Sequence, residues 1–122
     1  MAKKILIIED DEFLRNLMVR RLEKEGFETA EASNGKTGLE KSKTEKPDLI
    51  LLDLILPGID GSEVLVEIKK NPATASIPVI IITNLDQKEN NKETRDLAVD
   101  YLIKAQLDPI EITERIKKVL NP

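Results

Sequence analysis

Short uninterrupted apolar runs alternate with stretches whose apolar residues recur at helical spacing along the whole chain. Ile5-Leu6-Ile7-Ile8 is continuous and β-branched, which predicts a strand; Leu14, Leu17, Met18 and Leu22 then repeat at the three- and four-residue intervals of an amphipathic helix. Phe27 to Ala32 alternates weakly with charge and predicts a second strand. Asn34-Gly35 marks a turn, and a polar helix from about Lys36 to Glu45 stops at Lys46-Pro47. Leu49-Ile50-Leu51-Leu52 reads as a third strand. Asp60-Gly61-Ser62-Glu63 has capping-box spacing ahead of Val64, Leu65 and Ile68, in a helix expected to end near Asn71-Pro72. Val79-Ile80-Ile81-Ile82 is a fourth strand and Tyr101-Leu102-Ile103 a fifth. Asp108-Pro109 opens a last helix, with Asp as N-cap and Pro at the first helical position; Ile112, Ile116, Val119 and Leu120 form its apolar face. Asp86 to Asp96 contains no apolar residue, so the first turns of the fourth helix should bury little.

Strands alternating with helices imply βαβ units and hence a parallel sheet covered on both faces. The runs at 5–8, 49–52 and 79–82 are apolar throughout and suit central strands, whereas 27–32 and 99–103 carry charge and suit edges. The expected fold is therefore α/β: a doubly wound five-stranded parallel sheet in the order 2-1-3-4-5, a flavodoxin-like (βα)5 three-layer sandwich. The order is taken partly by analogy with other doubly wound proteins, and its switch point falls between strands 1 and 3, at whose carboxyl ends ligands usually bind.

Composition narrows the chemistry. The chain has 122 residues, 40% of them hydrophobic, enough for one core, and residues 1–122 read as a single domain. Nineteen Lys and Arg against 23 Asp and Glu leave a net charge of −4, which disfavours nucleic acid as a direct partner. No apolar run is long enough to span a membrane, and Met1-Ala2-Lys3-Lys4-Ile5 leads straight into the first strand without a signal-peptide core, so a cytoplasmic location is expected. Cys and His are both absent, which excludes disulfides, thiol nucleophiles, imidazole bases and thiolate zinc sites.

Four of the five strands run into polar residues at their carboxyl ends: Glu9-Asp10-Asp11, Asp53, Thr83 and Lys104. Singly, each has an ordinary structural use, as a helix cap, a turn former or a solvated charge. Jointly, carboxylates meeting a hydroxyl and an ammonium at the switch point would repel one another without a cation, and this favours a site. Oxygen ligands alone select a hard ion such as Mg²⁺, and with it phosphate chemistry. Asp53, after a fully apolar central strand, is the best candidate nucleophile for an aspartyl phosphate, with Glu9 and Asp10 as metal ligands. A flavodoxin would need a small, hydroxyl- or glycine-rich phosphate loop where this chain has three acids. A haloacid-dehalogenase-type phosphatase would need a second acid where Ile55 stands.

With these residues in view the chain resembles the receiver domain of two-component response regulators, of the stand-alone, chemotaxis-regulator-like type, over essentially its full length. Ile8-Glu9-Asp10-Asp11, the Asp-x-x-x-Pro-x-x-Asp-Gly segment from Asp53 to Gly61, Ile82-Thr83 and Asp100-Tyr101-Leu102-Ile103-Lys104 carry the resemblance. It implies that Asp53 accepts a phosphoryl group. Asp10 would bind Mg²⁺ directly, Glu9 mainly through water, and the Ile55 backbone carbonyl would be a further ligand. It implies that Thr83 and Lys104 contact phosphoryl oxygens and that Thr83 couples to Tyr101, switching the face of helix 4, strand 5 and helix 5 that controls partner binding. The donor would be a phosphohistidine on a histidine kinase or phosphotransfer protein, and the output a downstream protein target acting in trans, since no room is expected for an output domain. Asp11 and Asp60 are read as helix caps, and Lys69-Lys70 and Lys117-Lys118 as complements to helix dipoles.

Three departures from the family pattern carry expectations of their own. Ala105 follows Lys104 where relatives usually have Pro, leaving open a cis or trans peptide. Asn84 stands where a small residue is common, and Leu85 and Ile55 are apolar where a residue can orient hydrolytic water, so self-dephosphorylation is expected to be slow. On these grounds the chain is expected to be a signalling phosphoacceptor and not an enzyme turning over free substrates. A binding-only or engineered protein of the same fold and a small aspartyl-phosphate phosphatase stay open as alternatives.

Overall fold

The computed structural model of the chain describes residues 2–84, 92–106 and 108–121. Its elements are β1 (Lys4–Ile8), α1 (Glu12–Lys24), β2 (Glu28–Ala32), α2 (Gly35–Thr44), β3 (Leu49–Leu52), α3 (Gly61–Lys70), β4 (Val79–Thr83), α4 (Lys92–Leu97), β5 (Asp100–Ile103) and α5 (Pro109–Leu120), with a short 3-10 turn at Lys104–Gln106. The strands pair in parallel in the expected order β2-β1-β3-β4-β5, with the three apolar runs at the centre. Leu85 and residues 86–91, which bear the expectations about hydrolytic water and the start of the fourth helix, lie outside the described residues.

The three central strands are buried on both faces because their side chains alternate between two cores. Leu6, Ile8, Ile50, Leu52, Val79 and Ile81 face α2 and α3, meeting Val64, Leu65 and Ile68. Ile5, Ile7, Leu49, Leu51, Ile80 and Ile82 face α1 and α5, meeting Met18, Leu22, Ile112 and Ile116. Register keeps the alternation in phase: Ile8 lies opposite Leu52, and Leu52 opposite Ile81. Each such side chain removed from water contributes about 1.5–3 kcal/mol, so much of the apolar stabilisation of the fold comes from the sheet centre.

Helix ends follow local capping chemistry. Asp11 caps α1 by accepting from the Leu14 amide at 3.0 Å, Asn34 caps α2 through Thr37, and Asp108 caps α5 through Glu111 at 2.8 Å with Pro109 at the first position. Asp60 caps α3, but its side chain takes the Ser62 amide at 3.4 Å and not that of Glu63, so the reciprocal box suggested by the spacing is not the bond pattern formed. The α1 stripe also differs from expectation. Met18 and Leu22 are buried against the sheet and α5, whereas Leu17, on the outer flank of the stripe, is 41% exposed.

Both basic pairs lie in the last turns of their helices, and one lysine of each also makes a specific contact. Lys69 Nζ donates to the Ala75 and Ile77 carbonyls at 3.2 and 2.7 Å, closing the α3–β4 connection, and burial lowers its pKa. Lys117 pairs with Glu25 at 3.0 Å and ties α5 to the end of α1. In α4, Thr94 is buried and Leu97 packs against the sheet, so the tract read as wholly polar still inserts one hydroxyl-bearing side chain.

Candidate functional site

The backbone brings the strand ends together before any side chain acts. The Asp53 amide donates to the Ile8 carbonyl at 3.1 Å, and the Glu9 amide to the Ala32 carbonyl at 3.0 Å, extending the parallel ladder one residue past β3 and β1. Just beyond Asp53 the chain passes under the start of α3, where the Gly61 amide donates to the Leu54 carbonyl at 3.0 Å. A Cβ at position 61 would lie 2.3 Å from the Asp53 carbonyl oxygen, so only glycine lets α3 begin so close to the phosphoacceptor candidate. Gly58, at φ +78°, makes the left-handed turn that returns the loop to Asp60.

At this edge the carboxylates of Glu9, Asp10 and Asp53 offer oxygens that all lie within 4.8 Å of one another. Glu9 and Asp53 are buried, 1% and 4% exposed, and Asp10 faces solvent. Lys104, delivered by the end of β5, reaches across the sheet edge: its Nζ is 2.5 Å from Glu9 Oε1 and 2.7 Å from Asp53 Oδ2. The remaining oxygens are also engaged, Glu9 Oε2 by the Asp11 amide and Asp53 Oδ1 by the Ile55 amide, both at 3.1 Å. The Lys104–Ala105 peptide is trans. Ile55 is 54% exposed beside this cluster.

Burial and charge set the ionisation here. Burial pushes the Glu9 carboxyl up to about 7; hydrogen bonds from Lys104 and the Asp11 amide offset part of that rise, while the negative charge of Asp53 adds to it. Burial works against the Lys104 ammonium too, but its hydrogen bonds to Asp53 and Glu9 and their charges outweigh it and hold its pKa above lysine's usual value. One firmly charged ammonium thus faces three carboxylates, and a hard cation would complete the charge balance.

Thr83 is the last residue of β4, fully buried, and pairs with Ile103 immediately before Lys104, so β4 and β5 present the hydroxyl and the ammonium on the same edge. Tyr101 lies two pairs back on β5, opposite Ile81, half-buried against the core, with the Arg95 guanidinium of α4 at 5.7 Å over its ring. Asp11 and Asp60 cap helices, as already described, and neither belongs to the carboxylate cluster. A groove of about 470 Å³ between α2, α3 and α4, lined by Leu39, Ile59, Val66 and Leu97 among others, contains none of these residues.

Two features of the site were not legible in the sequence. Lys104 contacts Glu9 as well as Asp53, a pairing of residues 95 positions apart that no local pattern announces. Arg15 donates Nη1 to the Glu9 carbonyl at 2.9 Å and Nε to Glu31 Oε1 at 3.0 Å. Its only sequence signal is its place one helical turn after Asp11.

The chain is thus a doubly wound α/β domain that carries an acidic triad, a hydroxyl and a lysine along the carboxyl edge of its sheet. Residues 5–117 match the response regulator receiver domain family, and the chain belongs to it. It is 34% identical over 121 residues, 99% of this chain, to the alkaline phosphatase synthesis transcriptional regulatory protein PhoP of Bacillus subtilis, and spans about half the length of that relative. Protein PilH of Pseudomonas aeruginosa is 34% identical over 119 residues, covering 97% of this chain and 94% of its own. The crystal structure of a CheY-like response regulator receiver domain protein from Methanospirillum hungatei JF-1 superposes with a TM-score of 0.87 at 28% identity, covering 99% of this chain and 95% of that one. The chain is thus a receiver domain of two-component response regulators, a family that accepts phosphoryl groups from histidine kinases and acts on downstream targets. Among the described residues no helix is long and apolar enough to cross a membrane.

Proposed function

We propose that Asp53 is the phosphoacceptor of this receiver and that its modification, dependent on Mg²⁺, alters the α4–β5–α5 face to change partner binding. The observation that carries this reading is the pairing of Lys104 with both Asp53 and Glu9 inside a cluster of three carboxylates. Glu9, Asp10, Asp53 and the Ile55 carbonyl would hold Mg²⁺, which would supply charge neutralisation for the phosphoryl oxygens. An Asp53 carboxylate oxygen forms the new bond to phosphorus as the phosphorus–nitrogen bond of a donor phosphohistidine breaks, and the departing imidazole takes a proton from solvent. Lys104 shifts from carboxylate to phosphoryl oxygen, and the Thr83 hydroxyl contacts another. Tyr101 would report that movement to α4 and β5, a local charge change biasing a two-state element; its contact with Arg95 and its packing against the core support this reading.

The donor is a histidine kinase or phosphotransfer protein, because this chain has no histidine of its own, and the setting is cytoplasmic. The chemistry is confined to the domain's own phosphorylation and slow dephosphorylation, with no turnover of free phosphate esters. Intact mass after incubation with Mg²⁺ and acetyl phosphate tests the assignment. The wild type should gain one phosphoryl group and Asp53→Asn none; no gain in the wild type, or equal gain in both, overturns it. An acyl-phosphate lifetime of only seconds in Mg²⁺ buffer would contradict slow dephosphorylation.

A further inference from the structure

We infer that Arg15 is a positioning residue that holds the Glu9–Asp10 turn in a cation-binding shape; this rests on the reading of Glu9, Asp10 and Asp53 as the cation-binding carboxylates. Arg15 lies in the first turns of α1 with its side chain only 16% exposed. Its fork spans three elements: the chain leaves α1, Nη1 meets the Glu9 carbonyl oxygen at 2.9 Å, and Nε meets Glu31 of β2 at 3.0 Å. Glu31 is itself anchored opposite Ile7 in the β1–β2 ladder, so the guanidinium is braced against the sheet.

The Glu9 carbonyl belongs to the planar peptide unit that leads into Asp10, so fixing its direction fixes the direction from which Asp10 departs. The preceding peptide is held as well, by the Glu9 amide on the Ala32 carbonyl at 3.0 Å. Both peptide groups flanking Glu9 are therefore pinned, and its carboxylate is pinned by Lys104 and the Asp11 amide. Asp10 has no comparable restraint: it is exposed, and its side chain makes no hydrogen bond among the described residues. Its aim into the cluster thus depends on the backbone that Arg15 orients. Hydrogen-bonding partners behind metal ligands commonly govern affinity by about 10- to 100-fold.

The test is Mg²⁺ titration of the full chain, followed by amide chemical shifts or calorimetry, for wild type, Arg15→Ala and Arg15→Lys, with thermal unfolding measured without Mg²⁺ in parallel. Arg15→Ala should weaken Mg²⁺ binding by about tenfold or more. Arg15→Lys should weaken it nearly as much, because an ammonium keeps the charge but cannot span both acceptors as the planar fork does. Wild-type affinity in Arg15→Lys would mean that charge alone matters and overturns the inference. A lowered melting temperature with unchanged Mg²⁺ affinity in Arg15→Ala would reduce Arg15 to a staple between α1 and β2, and overturns it too. If Arg15→Ala does not fold, Arg15→Lys carries the comparison alone. A wild type that binds no Mg²⁺ fails at the level of the cation reading, and is told apart from failure of Arg15 because it appears before any substitution.

Discussion

Glu9 is a carboxyl with two duties that pull its proton in opposite directions. Burial raises its pKa from the ordinary 4.5 to about 7, whereas a cation bound beside Asp10 and Asp53 would need it ionised. The folded chain holds this proton up to about pH 7, while an unfolded chain releases it near 4.5, so the metal-free protein takes up a proton on folding within that window. The contribution of Glu9 to metal-free stability is therefore fully present below 4.5 and declines as pH rises towards 7. Mg²⁺ binding has the opposite slope, because it must expel the proton: affinity should rise with pH and level off above about 7. Calorimetric titration below pH 7 in two buffers of different ionisation enthalpy should reveal proton release; identical heats in both buffers would show Glu9 already ionised. Residue identity at this edge was legible in the sequence because strand ends expose their polar residues in order. The depth of Glu9 was not, since burial is set by what packs around the loop.

At the scale of elements, the connections differ in how firmly they are held. The α3–β4 connection is closed by Lys69, whose ammonium serves the Ala75 and Ile77 carbonyls. Lys69→Ala should cost about 2 kcal/mol in chemical denaturation, in the range of hydrogen bonds to a charged donor. A loss near zero would mean water replaces the ammonium without penalty. The last turns of α4 lean on the sheet through Leu97 and bury Thr94, far less than α3 buries through Val64, Leu65 and Ile68. Backbone amides of 95–98 should therefore exchange with deuterium much faster than those of β3 and change their rate when Asp53 is phosphorylated. Protection equal to that of β3 in both states would remove α4 as the responsive element. Element positions were readable from periodicity because it is local, but the outward turn of Leu17 was not. A helical stripe shows which residues share a face and leaves open how wide a contact the neighbours cover.

For the whole molecule, the cost of gathering three carboxylates at one edge is offset by the surrounding structure. Two parallel cores hold β1, β3 and β4 rigid, and Lys104 supplies the compensating charge from the far edge strand. Mg²⁺ that binds only the folded chain should therefore add stability by mass action, about 2.7 kcal/mol at a free concentration about 100-fold above Kd. Urea denaturation with and without Mg²⁺ measures this, and chelation should reverse it. Asp10→Asn should abolish most of the gain while leaving metal-free stability unchanged or slightly raised, because Asp10 is exposed and its charge adds to the repulsion among the three carboxylates. An undiminished gain in that variant would place the cation elsewhere.

Local sequence pattern was enough for the strand and helix order, the central position of the three apolar strands, the caps at Asp11, Asp60 and Asp108, the turn at Asn34-Gly35, and the set of residues at the carboxyl edge. Each of these follows from neighbours a few positions apart, through hydrophobic period, side-chain hydrogen bonding or the conformational limits of Pro and Gly. Tertiary structure alone decided that Lys104 closes on Glu9 as well as Asp53, that Glu9 is buried and Asp10 is not, and that Arg15 braces the turn between them. Those outcomes depend on distances between residues far apart in the chain, which exist only once parallel pairing has set the strand ends side by side.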